Sequence, residues 1–388
     1  MGEFSLHLEG DQAHEIPAKT RYLSQVANIE NFDVIFTCQE LHNFLNFRDD
    51  FVFQINDGML SRFSRLKCLR ALSLAKNKEI TRLSNDITNL KHLRYLDLSN
   101  TSIERLPNSM CLMINLQTLK LQYCFNLRML LPKLHKLINL RHLDLKDSGI
   151  IKMPKHMGKL KHLRTMTHFF VRKDKGFGLN EIGALNHLRG TLNILDLADE
   201  CDLNTVGKAK LKEKCLDKLN LSWGRVVSRE MAQKQEQVLE ALEPNCSLKE
   251  LTVTWYGGAQ FPKWLVDPHL SNLVSLRLAY CTNCESLPML GQLPFLKRLE
   301  IEGFDGIKVI GQEFYGNASS SAPFQSLTYL SFVELKEWEE WDEGASFPCL
   351  EELCLLGCLK LTTSLPQHLP SLKKTRYSFL PKSGDFTS

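Results

Sequence analysis

The only spacing in this 388-residue chain that suits a metal or a dithiol redox centre is Cys281-T-N-Cys284. A structural zinc site needs four ligands, usually two such pairs, and here the pair stands alone. Histidines offer no better site: His92, His142, His162 and His187 each sit beside or within an L-x-x-L segment, which makes them scaffold. No H-E-x-x-H, G-x-S-x-G or G-x-x-x-x-G-K-[ST] segment occurs, so the sequence assigns no catalytic residue, cofactor or metal. The chain is expected not to be an enzyme. What it holds in quantity is the chemistry of gripping another macromolecule. Residues 60–175 carry 24 Lys/Arg against 7 Asp/Glu, and residues 299–355 carry 2 against 12, an asymmetry hidden by the net charge of +4. All five tryptophans (Trp223, Trp255, Trp264, Trp338 and Trp341) lie in the second half.

The elements that must position these groups recur every 23 or 24 residues. Leu69-R-A-Leu72-S-Leu74-A-K-Asn77 is followed by Leu93-R-Y-Leu96-D-Leu98-S-N-Thr101, Leu116-Q-T-Leu119-K-Leu121-Q-Y-Cys124 and Leu140-R-H-Leu143-D-Leu145-K-D-Ser148. This is the pattern of leucine-rich repeats. The two leucines of L-x-L point the same way from a short strand, because side chains alternate with period two. No single unit buries its apolar face alone, so units stack into a parallel ladder. The expected fold is therefore an α/β horseshoe solenoid with a parallel β-ladder on its concave face. Cys124, Cys281 and Cys358 fall at the N/C position of a repeat and read as framework thiols.

Five segments follow from the pattern. Residues 1–60 form a junction with degenerate first repeats, including apolar runs at Val34–Phe36 and Phe51–Phe53. Residues 61–167 are the regular basic block. Residues 168–247 are an irregular insertion with weak repeats and two helical stretches, Thr205–Leu216 and Arg229–Leu242, the second with Met231, Val238, Leu239 and Leu242 on one face. Residues 248–375 form a second block, interrupted by a Gly/Ser-rich loop over Gly311–Pro323. From Pro366 the last unit is expected to fray, with 376–388 as a tail. At 43% hydrophobic and 24% charged residues the composition is that of a folded chain. No run approaches 18 apolar residues, and the start MGEFSLHLEGDQAHEIP has no basic head or apolar stretch. An intracellular, cytoplasmic location follows, with the nucleus also open to it, so the sequons at Asn100, Asn220, Asn245 and Asn317 are not expected to be glycosylated.

Several segments carry a resemblance: GEFSLHLEGD, Leu90-KHLRYLDLSNTSIERLP, Lys136-LINLRHLDLKDSGIIKMPKHMGKLKHLRTM, the insertion THFFVRKDKGFGLNEIGALNHLRGTLNI, and Trp338-E-E-Trp341. Across roughly residues 2–375 the chain resembles the leucine-rich region of plant intracellular nucleotide-binding leucine-rich-repeat immune receptors of the coiled-coil class. The insertion followed by HLRGTL is the most specific part. The resemblance implies a sensing and autoinhibitory module. Its partners would be a pathogen effector or a guarded host protein, and an acidic surface of a nucleotide-binding domain, in cis or in trans. That domain's phosphate-binding loop is not among these residues, so the switch itself lies elsewhere.

Two surfaces follow. On the ladder face, Tyr95, Asp97, Lys120, His142, Asp144, Lys146, Arg277, Arg298, Glu300 and Glu302 flank the core leucines, and Trp255 and Tyr256 lie just past a strand. These are the candidate partner-binding residues. On return segments, Lys91, Arg105, Lys133, Lys136, Lys155, Lys159 and Lys161 form a basic flank suited to docking, with a merely solvated face as the plain alternative. Nucleic acid is the weakest of the three readings, because few aromatics interleave with these cations. A free-standing repeat scaffold outside immunity is the alternative function.

Overall fold

The computed structural model describes residues 4–8, 16–25, 32–46, 57–171, 178–197, 203–224, 231–316, 323–342, 346–362, 366 and 368–378. The chain divides into two compact units, the first essentially residues 1–170 with 181–188, the second running mainly from 189 onward. Each is a solenoid of short parallel strands.

The first unit contains β1 (Ser5–Leu8), β2 (Tyr22–Gln25), β3 (Asn43–Asn46), β4 (Ala71–Ser73), β5 (Tyr95–Asp97), β6 (Thr118–Lys120), β7 (His142–Asp144) and β8 (Thr165–Met166), paired in that order. Register is set by the inward apolar column Leu6, Leu23, Phe44, Leu72, Leu96, Leu119, Leu143 and Met166. Three strands from the first 60 residues thus continue the ladder, with Phe44 filling a leucine position. The Phe51–Phe53 run lies outside the described residues. A short helix, α1 (Asp57–Phe63), leads into the regular repeats. In these, 3-10 turns replace longer return helices: Asn85–Asn89, Asn108–Leu112, Leu134–Lys136 and Met157–Lys159. Each anchors to the core through a buried apolar residue, Ile87, Met110, Leu134 or Met157, with Cys111 buried beside Met110. β9 (His168–Phe170) and the helical turn α2 (Asn180–Gly183) close this half of the chain.

In the second unit, β10 (Arg189–Leu197) and β11 (Cys215–Trp223) are long strands. They are followed by β12 (Glu250–Thr254), β13 (Ser275–Ala279), β14 (Arg298–Glu302), β16 (Tyr329–Val333), β18 (Glu352–Leu356) and β19 (Lys374–Tyr377), all parallel. The inward column here is Leu192, Leu219, Leu251, Leu276, Leu299, Leu330 and Leu353. On the return side, β15 (Val309–Ile310) and β17 (Glu340–Trp341) form a two-stranded sheet, with Trp338 and Trp341 buried beneath it beside Phe332.

Four expectations change in detail. The stretch Thr205–Leu216 is not one helix: α3 (Leu203–Val206) gives way to two 3-10 turns, and Cys215 already begins β11. Lys210 takes a left-handed backbone between those turns, which ends helical propagation. The second helix, α4 (Ala232–Ala241), does bury Val238 and Leu239, and Leu242 caps it, while Arg229 and Glu230 lie outside the described residues. The Gly311–Pro323 segment is loop only in part, because α5 (Gln312–Tyr315) buries Phe314 and Tyr315 in an aromatic cluster with Phe324 and Phe347; residues 317–322 lie outside the described residues. Finally, the terminal segment does not fray at 376, since Arg376 and Tyr377 pair with Cys354 and Leu355. That strand is largely exposed and polar.

A second ladder runs along the turns, made by side chains that reach one repeat back. Asn115 Nδ2 donates to Lys91 O at 2.8 Å, Asn139 Nδ2 to Ile114 O at 2.9 Å, and Asn272 Nδ2 to Cys246 O at 2.9 Å. Cys124 Sγ donates to Leu98 O at 3.0 Å and Cys284 Sγ to Gly258 O at 3.1 Å. These bonds satisfy carbonyls that no strand partner reaches. Two substitutions separate the contributions. Leu143→Ala opens a cavity in the continuous core and should cost about 2–5 kcal/mol. Asn139→Ala leaves one carbonyl unpaired and should cost about 1 kcal/mol. Urea midpoints at constant slope would check both.

Candidate recognition surfaces

Turn geometry generates the most distinctive surface. Past nine of the strands, one residue adopts a left-handed backbone: Lys76, Asn100, Tyr123 and Asp147 in the first unit; Trp255, Tyr280, Gly303, Glu334 and Gly357 in the second. Bulky residues pay strain for this conformation and glycine does not. Trp255 (φ 60°) and Tyr280 (φ 57°) nevertheless occupy it, with their rings stacked at 4.3 Å and 15°. Gly303 follows at the same position, and a Cβ there would stand 2.5 Å from the Tyr280 ring. The ring lies where only glycine leaves room.

Register adds charge to this aromatic pair. Arg277 on β13 lies beside Glu300 on β14, and Ala279 beside Glu302. Arg277 Nη1 donates to Glu300 Oε2 at 2.8 Å, its Nη2 pairs with Glu302, and Tyr280 Oη donates to Glu302 Oε1 at 2.5 Å. Arg298 Nε donates to Glu300 Oε1 at 2.6 Å while its guanidinium lies 3.7 Å over the Tyr329 ring. The result is one connected patch from Trp255 to Tyr329. Its glutamates are mostly covered, and its two guanidinium groups are the more exposed members. Burial alone would raise the Glu300 pKa, but hydrogen bonds and charge from Arg277 and Arg298 hold the carboxyl below its ordinary range. The hydrogen bond to Glu302 pushes the Tyr280 phenol up. Both groups are therefore fixed in charge at neutral pH.

On the first unit's ladder face, Tyr95 Oη donates to Asp97 Oδ2 at 2.9 Å, and Lys120 lies 3.7 Å from the same oxygen. Asp97 also accepts the Ser99 N–H at 2.9 Å, and Asp144 accepts the Lys146 N–H at 3.2 Å at the equivalent position. His142 Nδ1 is 3.0 Å from Thr165 Oγ1, and Lys146 lies over Tyr123. Small residues Ala71, Ser73 and Ala75 floor an open cavity of about 710 Å³ beside this network.

Two expected surface residues are corrected. Tyr256 has no exposed surface: its ring packs against Trp223 at 5.2 Å, and its hydroxyl donates to Gln260 O at 2.7 Å. Burial raises its pKa. Trp255 takes the left-handed turn position, and Tyr256 is core. Asp97, only 7% exposed, holds the turn after β5 and sits beneath Tyr95 and Lys120 as their support. Conversely, Tyr280 and Tyr329 belong to the patch and were not singled out from the sequence. Tyr280 was legible, because Leu278-A-Tyr280 repeats Val253-T-Trp255.

The basic flank is exposed at Lys91, Arg105, Lys133, Lys136, Lys155, Lys159 and Lys161. Lys161 Nζ donates to Ala184 O at 3.1 Å, while Lys91, Lys133, Lys136 and Lys159 have no carboxylate partner among the described residues. Between these cations, large apolar side chains face solvent: Leu112 (57% exposed), Ile114 (51%), Met129 (62%) and Ile138 (53%). Cys281 and Cys284 are both buried, and burial lifts the Cys281 thiol to about 12 and Cys284 well above its usual value. They are protonated donors to backbone carbonyls.

Comparison with known proteins places this geometry in context. A profile of the R13L1/DRL21 leucine-rich repeats matches residues 179–304. The Arabidopsis thaliana disease resistance protein At3g14460 is 39% identical over 98% of this chain, and RPP13-like disease resistance protein 1 of the same plant is 38% identical over 96%. The chain spans only 28% and 38% of those relatives' lengths. Among solved structures, the plant peptide hormone receptor RGFR1 in complex with RGF2 aligns with a TM-score of 0.52 at 17% identity, covering 97% of this chain and 70% of that one. TLR13 in its complex with ssRNA13 aligns at 0.54 and 17%, covering 93% and 52%. At such identity these two share the fold alone.

Gly303→Ala is the most direct probe of the patch. Its Cβ would displace the Tyr280 ring and strain the turn, costing about 1–3 kcal/mol. Loss of near-ultraviolet circular dichroism from the Trp255–Tyr280 stack should accompany the drop in stability. An unchanged spectrum would show that the stack does not depend on this glycine.

Proposed function

Starting from a chain that belongs to the leucine-rich-repeat regions of plant nucleotide-binding disease-resistance proteins, we propose that it is the protein-recognition module of an intracellular immune receptor. The ladder face of its second unit contacts a pathogen effector or a guarded host protein. The basic flank of its first unit docks on an acidic surface of a nucleotide-binding domain, in cis or in trans, and holds it inactive. The setting is the cytoplasm.

The observation that carries the reading is the Trp255–Tyr280–Arg277–Arg298–Tyr329 patch. Aromatic and arginine side chains are the usual anchors of protein interfaces, and anchors already held in place lose little entropy on binding. Trp255 and Tyr280 hold a strained turn position that glycine serves one repeat after Tyr280, at Gly303. No helix among the described residues is long and apolar enough to cross a membrane.

Two experiments test the two halves. Affinity enrichment from infected and uninfected leaf extracts, with wild-type and W255A/Y280A chains, should return a protein retained by wild type and lost by the variant. Identical recovered sets would remove the ladder-face assignment. For the flank, association with a recombinant P-loop nucleotide-binding domain should weaken as salt rises, and reversing Lys91, Arg105, Lys159 and Lys161 to Glu should weaken it about 10-fold or more at low salt. Binding that is indifferent to both salt and charge reversal would sink the electrostatic docking.

A further inference from the structure

The sequence directs attention to the lysines of the flank, but the structure shows what lies between them. Equivalent positions of successive return segments align in columns set by the repeat. One column reads Asn89, Leu112, Lys136, Lys159, and the next reads Lys91, Ile114, Ile138, Lys161. In the second column, Ile114 and Ile138 of the two middle repeats stand where the outer repeats carry cations; in the first, Leu112 is the one apolar member. Leu112, Ile114 and Ile138 are each more than half exposed, and with Cys111, His135 and Lys136 they border a cavity of about 430 Å³. His135 also borders a second cavity of about 520 Å³, whose other walls include Met129, Pro132, Met153 and Pro154. No carboxylate lines either cavity. An apolar band thus crosses two repeats, and Lys91, Lys133, Lys136 and Lys159 stand around it without carboxylate partners among the described residues.

Such a surface is poorly explained as a solvated face. Exposed aliphatic side chains grouped across two pockets cost solubility, and a contiguous apolar patch with a polar rim is the anatomy of an interface. We propose that this band is the anchor of the docking surface: its occupant is an acidic protein surface that presents bulky apolar side chains to the two pockets, while its carboxylates meet the lysine rim. The assignment rests on the docking reading above and specifies its chemistry. Aliphatic burial supplies the residence time, and the lysines supply orientation and encounter rate. His135 stands between the pockets; burial, followed by the charges of Lys159, His156 and Lys136, lowers its pKa.

The two contributions separate by calorimetric titration of the recombinant P-loop nucleotide-binding domain against the full chain at several salt concentrations. L112S/I138S should weaken binding about 10- to 100-fold at every salt and leave the salt dependence unchanged, with a smaller negative heat-capacity change. K136E/K159E should do the reverse, flattening the salt dependence. Because all four positions are exposed, unfolding midpoints should stay at the wild-type value, which certifies that the variants are folded. If wild type binds and L112S/I138S binds equally well with the same heat-capacity change, the apolar anchor is wrong and docking survives as purely electrostatic. If wild type fails to bind at any salt, the docking reading itself falls, and the anchor falls with it.

Discussion

Everything in this molecule depends on parallel register. Each strand contributes only a few core residues, too few to offset its own ordering, and becomes stable only when the neighbouring repeat places its leucines at the same height. Once Leu276, Leu299 and Leu330 are aligned, every outward position is aligned too. Arg277 then has no choice but to face Glu300, and Arg298 to face Tyr329. The core specifies the surface without touching it. This is why a framework of nearly invariant type can present side chains of free chemistry at fixed positions.

The same constraint explains what could be read from the sequence. Repeats between 69 and 166 were legible because leucine occupies nearly every framework position. In the first 60 residues the frame is disguised by Phe44 and by irregular spacing, yet Leu6 and Leu23 still pair into the column. Thr205–Leu216 misled because lysine and alanine favour helix locally, whereas the Leu216–Leu219–Leu221 spacing belongs to the sheet; tertiary pairing overrode propensity. Tyr256 was misplaced for a different reason. Trp255 and Tyr256 are adjacent, and only the backbone twist at the left-handed turn decides which ring turns outward. Sequence proximity to a strand says nothing of that choice.

Charge asymmetry was visible residue by residue, but its structural meaning was not. Carboxylates near residue 300 are largely consumed by cross-strand arginines, and others nearby pair one repeat on, as Glu337 does with Lys360 and Glu351 with Lys373. Lysines of the first unit are far less compensated. An excess of charge in sequence therefore becomes a neutralised, rigid patch in one place and an open field in another. Exposed pairs of this kind add little stability, so their value lies in fixing geometry.

Position within the repeat then assigns distinct physical roles to the two kinds of surface. A ladder position sits on a strand hydrogen-bonded on both sides, and its side chain is held by neighbours at every repeat; such a site reads shape with little adjustment. A return-segment position sits on a single 3-10 turn closed by few hydrogen bonds, for example Leu137 N–H to Leu134 O. Its side chain can change because the neighbouring repeats hold the segment through the buried residues of each turn and through backbone carbonyls such as Ile114 O. Replacing Lys by Ile at these turns leaves the frame intact, so an apolar band can arise there at almost no cost to folding. The framework penalises change at its leucines and at Gly303 beneath the aromatic stack, and is indifferent to it at Ile114 and Ile138. Surface hydrophobicity at an indifferent position is therefore not a by-product of folding.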